Sequence, residues 1–296
     1  MNSLWVAFTL LGAAGQTARN AMQRELTAQL GTLGASLVRF LFGFPFALAF
    51  LAVVMMATGD AVPRINTGFA GWITLGALTQ IAATALMLMT MERRSFVVTT
   101  AYLKTEPVLV AILGLVFLGD RVTTAMAAAI ALAVTGVVLI SVKPKTLEQG
   151  GWGPAALGLS SGALFAASAI GYRGAILALH AKGYVMGATF ALAVGLTLQT
   201  LLLMAWLLLF KRAILAALLS LWRPSLLAGF TGAASSQMWF LAFALATAAS
   251  VRTLALVEVL FAQGVTRFVF KQATTAREGV GIVLLLAGAG LIVWAG

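Results

Sequence analysis

The sequence predicts an all-α membrane protein whose ten transmembrane helices form two inverted five-helix repeats around a central cavity. Three observations lead to this prediction. Of the 296 residues, 61% are hydrophobic and only 9% are charged, whereas soluble domains carry about 25% charged residues. Apolar runs of about 20 residues, the length that crosses a bilayer, recur along the chain. Part of the pattern of the first half returns in the second half.

The apolar spans divide into five on each side of the most polar stretch of the chain, KPKTLEQGGWGP. The first five lie at about Leu4–Met22, Leu33–Thr58, Phe69–Met91, Phe96–Leu118 and Thr124–Val142. The second five lie at about Gly153–Leu179, Tyr184–Phe210, Pro224–Thr247, Ser250–Phe270 and Glu278–Trp294. We therefore predict a first repeat at 1–142, a cytoplasmic linker at 143–152 and a second repeat at 153–296.

The basic residues stand singly or in pairs at the ends of the apolar spans rather than in one patch. Because this placement is typical of residues that contact lipid headgroups, the net charge of +11 does not indicate a nucleic-acid partner. Most of them fall on the side of the linker, and cytoplasmic loops carry the excess of Lys and Arg in membrane proteins. We expect a multi-pass protein of the inner membrane of a bacterial-type cell, with both termini in the periplasm.

The residue types that membrane enzymes use are scarce. The chain has no cysteine and one histidine, His180, which excludes thiol nucleophiles, thiolate metal sites and paired histidine ligands. There is no G-x-x-x-x-G-K motif, and no aspartate lies deep in a span. We predict no catalytic residue, no metal and no cofactor, and expect a monomer that handles a small-molecule substrate in the lipid bilayer.

A shift of 152 residues places part of the second half over the first. Glu106 falls on Glu258, and Val259 stands where Pro107 does. Further identities include Thr123 with Thr275, Gly136 with Gly288, and Ile140 with Ile292. A repeat of five helices is odd-numbered, so the second copy must enter the membrane upside down. Inverted repeats are typical of secondary transporters, whose sites lie near the middle of the bilayer.

Glu106 and Glu258 are the carboxylates that lie deep in predicted spans, since the other acidic residues fall at span ends or in loops. A charge at the centre of a bilayer costs about 2.5–3.5 kcal/mol, so it is a functional candidate by default. Burial favours the neutral form of a carboxyl group, which suits a proton carrier. The alternative is that both residues hydrogen-bond across helices and only hold the two halves together.

Three neighbours of Glu106 belong to the same candidate site. Tyr102 lies four residues earlier, on the same helix face, and is predicted to face the cavity. Lys104 is two residues away, roughly 200° around a helix, so it either pairs with another helix or extends to the headgroups. Pro107 bends its helix and is either a hinge for alternating access or a static kink.

Gln80, Gln237 and Trp239 occupy middle positions of the third and eighth spans and are candidate lining groups. A buried amide needs a partner, which a neighbouring helix supplies as easily as a substrate does. Arg173 and Arg252 either meet a substrate carboxylate or anchor to headgroups.

The motif order around Glu106 is specific enough to suggest a family. The pair Glu106-Pro107 is followed by the turn Phe117-Leu118-Gly119-Asp120 with Thr123, and by the helix ending Gly136-Val137-Val138-Leu139. This pattern resembles the ten-helix EamA-type branch of the drug/metabolite transporter superfamily, a branch that includes exporters of aromatic amino acids. The resemblance implies export or exchange of small metabolites by alternating access, with amino acids as the leading class. A multidrug or cation exporter, a lipid-carrier flippase and a membrane enzyme stay open as alternatives.

Overall fold

In a computed structural model of the chain, the described residues are 3–93, 103–141, 152–212, 214, 218, 220–261, 263 and 275–295. They form ten α-helices and one π-helical segment, and this part of the chain contains no β-strand. In chain order the helices are α1 (Leu4–Leu41), α2 (Phe44–Thr58), α3 (Thr67–Arg93), α4 (Glu106–Leu113), α5 (Thr124–Ser141), α6 (Trp152–Ala178), α7 (Tyr184–Phe210), α8 (Trp222–Leu245), α9 (Ala248–Ala255) and α10 (Ala276–Ala295). The π-helical segment Gly114–Leu118 continues α4 directly. The predicted all-α class is confirmed.

Several helices have the length and surface of membrane spans. Among the described residues five segments are long and apolar enough to cross a membrane, namely Leu37–Thr58, Thr67–Met87, Ala156–Ala178, Tyr184–Phe210 and Ala276–Ala295. Two shorter apolar helices, Glu106–Leu118 and Thr124–Ile140, accompany them. Large apolar side chains stand on the surface, with Leu209 72% and Trp294 78% exposed. Side chains of this kind are favourable in contact with lipid.

Most predicted spans agree with observed helices to within about two residues, the usual uncertainty of helix ends. The seventh span, Tyr184–Phe210, has the same bounds in the sequence prediction and in the structure. The fourth and ninth spans differ, because each is interrupted near its glutamate.

The structure also differs from the predicted bounds of the first two spans, Leu4–Met22 and Leu33–Thr58. Helix α1 continues without a break from Leu4 to Leu41. The interruption comes at Phe42-Gly43, and both residues keep right-handed helical backbone angles. Pro45, in the first turn of α2, has no amide hydrogen to donate to the carbonyl of Leu41, so the helical hydrogen-bond pattern is interrupted here. The polar residues after Met22 end the apolar run, which is why the first span was predicted to end there. The helix itself continues, because a helix ends only where its backbone hydrogen bonds are interrupted.

The helices form two compact units, and each combines segments from both halves of the sequence. Unit 1 consists of Met1–Ile81 and Gly171–Leu245. In it α1 packs along α8 through small residues. A Cβ on Gly15 would lie 3.1 Å from Ser235 Cβ, and the Ser235 hydroxyl donates a 2.8 Å hydrogen bond to the carbonyl of Gly12.

Unit 2 consists of Ala82–Ile170 and Ala246–Gly296. In it α5 packs against α10 with the backbones in direct contact. A Cβ on Gly136 would lie 2.6 Å from the carbonyl oxygen of Gly281, and a Cβ on Gly288 would lie 2.6 Å from the amide nitrogen of Ala133. Gly136 and Gly288 are equivalent in the 152-residue repeat, so equivalent glycines make this contact from both sides.

Candidate functional site

Four charged side chains of unit 2 meet in two ion pairs. The ammonium of Lys104 pairs with the carboxylate of Glu258, and Arg252 Nε lies 3.1 Å from Glu106 Oε1. We call these four residues the charge cluster. Each pair joins a residue of the first half of the chain to a residue of the second half. The Glu106–Arg252 contact is a close approach of charges whose geometry does not make a hydrogen bond.

The charge cluster is largely buried and electrically balanced. Its four side chains are only 10–19% exposed. Burying a lone charge costs far more free energy than burying an ion pair, because the lone ion loses its hydration and gains no opposite charge in exchange. Two cations with two carboxylates give a net charge of zero, which makes this amount of burial tolerable.

Both glutamates follow an interruption of a helix. Leu103 is helical, Lys104 and Thr105 form a turn, and α4 begins at Glu106. In the second half α9 ends at Ala255, a turn follows, and the helix resumes at Glu258. The turns occupy equivalent positions of the 152-residue repeat.

Just after both turns the backbone makes a hydrogen bond to the third preceding residue, although Thr105 also accepts an α-helical bond from the amide of Leu109 at 3.4 Å. In the first copy the amide of Val108 donates to the carbonyl of Thr105 at 3.2 Å. In the second copy the amide of Leu260 donates to the carbonyl of Val257 at 2.8 Å. Contacts to the third preceding residue tighten the chain into a 3₁₀ turn. The two glutamates are therefore presented at helix starts rather than from the sides of unbroken helices.

Pro107 lies in the first turn of α4, where the hydrogen bond it cannot donate is absent from any helix. Both interpretations of Pro107, a hinge for alternating access or a static kink, stay predictions. Val259 takes its place in the second copy, and the turn is present there as well. The interruption thus does not require a proline.

The sequence singles out Arg252 as a residue that either meets a substrate carboxylate or anchors to headgroups, and it does not predict the contact with Glu106. Its partner lies 146 positions away in the chain, and no local pattern identifies such a contact. Tyr102, predicted to share the face of Glu106, lies outside the described residues.

Gln80 belongs to a separate polar network in unit 1. Its Oε1 accepts hydrogen bonds from the Tyr172 hydroxyl at 2.8 Å and from Gln199 Nε2 at 2.8 Å. Gln199 Nε2 also lies 3.0 Å from Tyr172 Oη. We call these three residues the amide network. Gln199 is a polar residue in the middle of an apolar span, as Gln80 is. The same criterion therefore identifies Gln199 as a candidate residue from the sequence.

A small cavity adjoins the amide network. The eight residues that line it all belong to unit 1: Arg39, Gln80, Tyr172, Leu192, Leu196, Gln199, Ser236 and Phe240. It has room for about one water molecule. Arg39 therefore takes part in an internal site, although the sequence places it among basic residues at helix ends.

Gln237 and Trp239 of α8 are both buried within unit 1. Gln237 Nε2 donates a 2.8 Å hydrogen bond to Thr189 Oγ1. The amide oxygen of Gln237 is buried and accepts no hydrogen bond from the described residues. A Cβ on Gly12 would lie 3.1 Å from the Trp239 ring, so this tryptophan packs on α1. Arg173 Nη1 donates a 2.7 Å hydrogen bond to the carbonyl of Phe243.

The predicted site residues thus fall into three groups. Lys104, Glu106 and Glu258 come together in unit 2, Gln80 belongs to the amide network of unit 1, and Gln237 has its own partner there. The described part of the chain contains no group of three His, Asp or Glu residues placed to hold a metal ion.

Comparison with known proteins supports a transporter family. Residues 3–142 match the family model described as the EamA-like transporter family. A solved structure titled "Crystal structure of protein" is similar over 98% of this chain and 96% of its own, with a TM-score of 0.67 and 12% sequence identity. At that identity the likeness concerns the fold alone. A comparison with curated proteins found no match. Residues 3–142 are thus similar to an EamA-like transporter domain.

Proposed function

We propose that the protein is a secondary transporter that exports or exchanges small metabolites across the inner membrane by alternating access. The observation that carries the proposal is the buried charge cluster at two interrupted helices. Interrupted helices with charged groups at their ends are the usual construction of transporter sites. The EamA-like domain supports a membrane transporter of small molecules.

Amino acids are the substrate class that we propose, with aromatic amino acids first among them. A cluster of two cations and two carboxylates offers a partner to each charge of a zwitterion. A zwitterion that exchanges partners with these ion pairs adds no net charge to the buried site. A cationic drug adds one, which is costly in a low-dielectric environment.

The proposed site residues are Glu106, Glu258 and Lys104, with Tyr102, Gln80, Gln237 and Trp239 as lining or coupling groups. During transport the two ion pairs exchange partners between the cluster and the substrate. In this proposal the two inverted repeats, 1–142 and 153–296, move so that the site opens first to one side of the membrane and then to the other. The linker at 143–152 lies in the cytoplasm in this proposal.

Flux into liposomes tests the proposal. The purified protein is reconstituted, and uptake of labelled phenylalanine, leucine, glutamate and a cationic drug is followed against protein-free liposomes. We expect saturable flux of at least one amino acid, and we expect the variant Glu106→Gln to lower it. The matched control is Asp60→Asn, an acidic residue in the loop after α2. Absence of saturable flux for every compound in the panel contradicts the proposal.

A further inference from the structure

The end of unit 1 where α7 is connected to α8 carries three basic side chains and an exposed tryptophan. Lys211 and Arg212 follow α7 directly, and Trp222 and Arg223 lie in the first turn of α8. All four side chains are exposed. None of the three cations forms an ion pair with a carboxylate of the described residues. We call these four residues the basic end.

The exposed side chains of α7 and α8 change from apolar to charged at the basic end. On α7 the exposed Leu209 and Phe210 come directly before Lys211. On α8 the exposed Leu227 comes four residues after Arg223. Apolar surface of this kind is favourable against lipid chains, whereas a tryptophan beside basic residues is typical of the headgroup level. The basic end thus has the composition of the headgroup level of a membrane.

The segment between the two helices is anchored to unit 1 by apolar side chains. Ile214 and Leu218 have helical backbones and lie four residues apart, so they share one side of a helix. Leu218 is buried in a core cluster with Leu207 of α7 and Ala228 of α8, and Ile214 packs against this cluster. The segment that follows Lys211 and Arg212 therefore has a fixed position in unit 1.

Hydrogen bonds at the end of α7 hold the first two cations. The amide of Lys211 donates a 2.9 Å hydrogen bond to the carbonyl of Leu207. Arg212 Nε donates a 2.6 Å hydrogen bond to the carbonyl of Leu208. This bond uses one of the five N–H donors of the guanidinium. The Nη donors of Arg212 can therefore bind a ligand while the side chain keeps its contact with α7.

We infer that the basic end binds the headgroups of anionic phospholipids. The guanidinium carbon of Arg223 lies 5.3 Å from the centroid of the Trp222 ring, which orients this cation and leaves its charge intact. A guanidinium binds phosphate oxygens through paired hydrogen bonds, and basic residues next to a membrane span are attracted to anionic lipids. A zwitterionic lipid presents a cation together with its phosphate, so three positive charges favour an anionic lipid over it.

The predicted orientation places the basic end on the cytoplasmic side of the membrane. Anionic lipids give the cytoplasmic leaflet a negative surface potential, so the partner that the basic end requires is expected on that side. The inference concerns lipid binding and does not depend on the proposed transport function.

Lipid retention by the purified protein tests the inference. The protein is placed in nanodiscs that contain equal parts of phosphatidylglycerol and phosphatidylcholine, and the lipids that stay bound after transfer into detergent are counted by native mass spectrometry. We expect phosphatidylglycerol to exceed phosphatidylcholine by at least about fivefold, the effect of one basic residue near an anionic surface. Equal retention of the two lipids overturns the inference.

Removal of the three charges assigns the preference to the basic end. The variant Lys211→Gln/Arg212→Gln/Arg223→Gln is expected to retain the two lipids almost equally, because glutamine keeps hydrogen-bond donors and loses the charge. The variant Lys211→Arg/Arg212→Lys/Arg223→Lys keeps all three charges and is expected to keep the preference. If the glutamine variant does not fold, the three single glutamine substitutions, each expected to lower the preference, decide the outcome. A wild-type preference in the glutamine variant overturns the inference.

A matched control removes the same charge from other exposed positions. Arg64, Arg121 and Lys182 are exposed, and the predicted topology assigns them to the opposite side of the membrane. Replacement of all three by glutamine is expected to leave the lipid preference unchanged, which separates a local site from an effect of net charge. Equal loss of the preference in both triple variants overturns the inference.

Inorganic phosphate separates a lipid site from a site for a soluble anion. We expect phosphatidylglycerol to raise the thermal unfolding temperature of the protein in nanodiscs. We expect inorganic phosphate added to phosphatidylcholine nanodiscs to leave that temperature unchanged. An equal rise with phosphate assigns the basic end to a soluble anion and overturns the inference of a lipid partner.

Discussion

The two ion pairs of the charge cluster make the four residues interdependent. Lys104 and Glu258 compensate each other at 10% and 19% side-chain exposure. Removing one member leaves a buried charge without compensation, whereas removing both leaves two neutral groups. The change in unfolding free energy caused by a substitution in the charge cluster therefore depends on whether the charged partner of the substituted residue is still present.

Lys104→Met alone is expected to lower the unfolding free energy by about 3–5 kcal/mol, because the carboxylate of Glu258 stays buried without its partner. The double variant Lys104→Met/Glu258→Gln is expected to recover most of that loss. Thermal unfolding of both proteins in the same detergent measures the difference. A double variant no more stable than the single one contradicts the pairing.

Proton coupling is a separate prediction at the residue scale. If one glutamate of the cluster carries the proton, Glu106→Gln and Glu258→Gln abolish the response of flux to an imposed pH gradient, because an amide does not titrate. Flux in liposomes with equal and unequal internal pH checks this, with Asp60→Asn as the control. A response preserved in both variants assigns the two glutamates a purely structural role.

At the scale of elements, the repeated turn before each glutamate is the main feature. The turns at 104–105 and 256–257 occupy equivalent positions, although only the first is followed by a proline. A helix terminus leaves backbone groups without partners in the helix, so charged side chains gather there. The position of the turns therefore explains where the charge cluster lies.

Pro107→Ala is expected to leave the turn and the flux nearly intact, because Val259 accompanies the same turn in the second copy. The free energy of unfolding should change by less than about 1 kcal/mol, the usual size of such a substitution where the backbone is compatible. Initial flux rates and thermal unfolding measure both properties. A large loss of flux in a folded protein indicates instead that Pro107 is a hinge.

The close contact between α5 and α10 predicts how two glycine substitutions on α10 change the stability of the protein. Gly288→Ala introduces a Cβ that meets the backbone of Ala133 at 2.6 Å, so the two helices must separate and the protein is destabilised. Gly290→Ala on the same helix meets nothing within 4 Å and should be neutral or stabilising, by up to about 1 kcal/mol. Thermal unfolding of the two variants compares them directly. Equal destabilisation by both contradicts the close helix contact.

At the scale of the whole molecule, the compact units and the sequence repeats divide the chain differently. Units 1 and 2 each take segments from both halves, whereas the repeat relates one half to the other. A chain that folds with its halves interleaved in this way brings residues about 150 positions apart into contact, as in both ion pairs. The inverted arrangement of the repeats stays a prediction.

The predicted topology is testable by labelling, because the chain has no cysteine and any introduced thiol is the only one. We expect a cysteine at Thr146 in the linker to react with a membrane-impermeant maleimide only after the membrane is opened. A cysteine at Asp60 should react in intact spheroplasts. The opposite pattern reverses the orientation, and labelling of both residues from one side contradicts the inverted repeats.

Most helix positions could be predicted from the sequence, because the hydropathy of a segment depends only on its own residues. An apolar run such as Tyr184–Phe210 forms a helix regardless of its neighbours, since every backbone group must be satisfied inside the segment. The interruption at Phe42-Gly43 was harder to predict, because polar residues after Met22 end the apolar run without ending the helix.

The sequence by itself determined the all-helical class and most helix bounds, and it singled out Glu106 and Glu258 as candidate site residues. Only the tertiary structure decided their partners. It paired Lys104 with Glu258, brought Arg252 to Glu106 and placed Arg39 in a cavity. The physical reason is that burial and hydropathy depend on nearby residues. An ion pair depends on which helices pack together, and that is decided by contacts across the whole length of the chain.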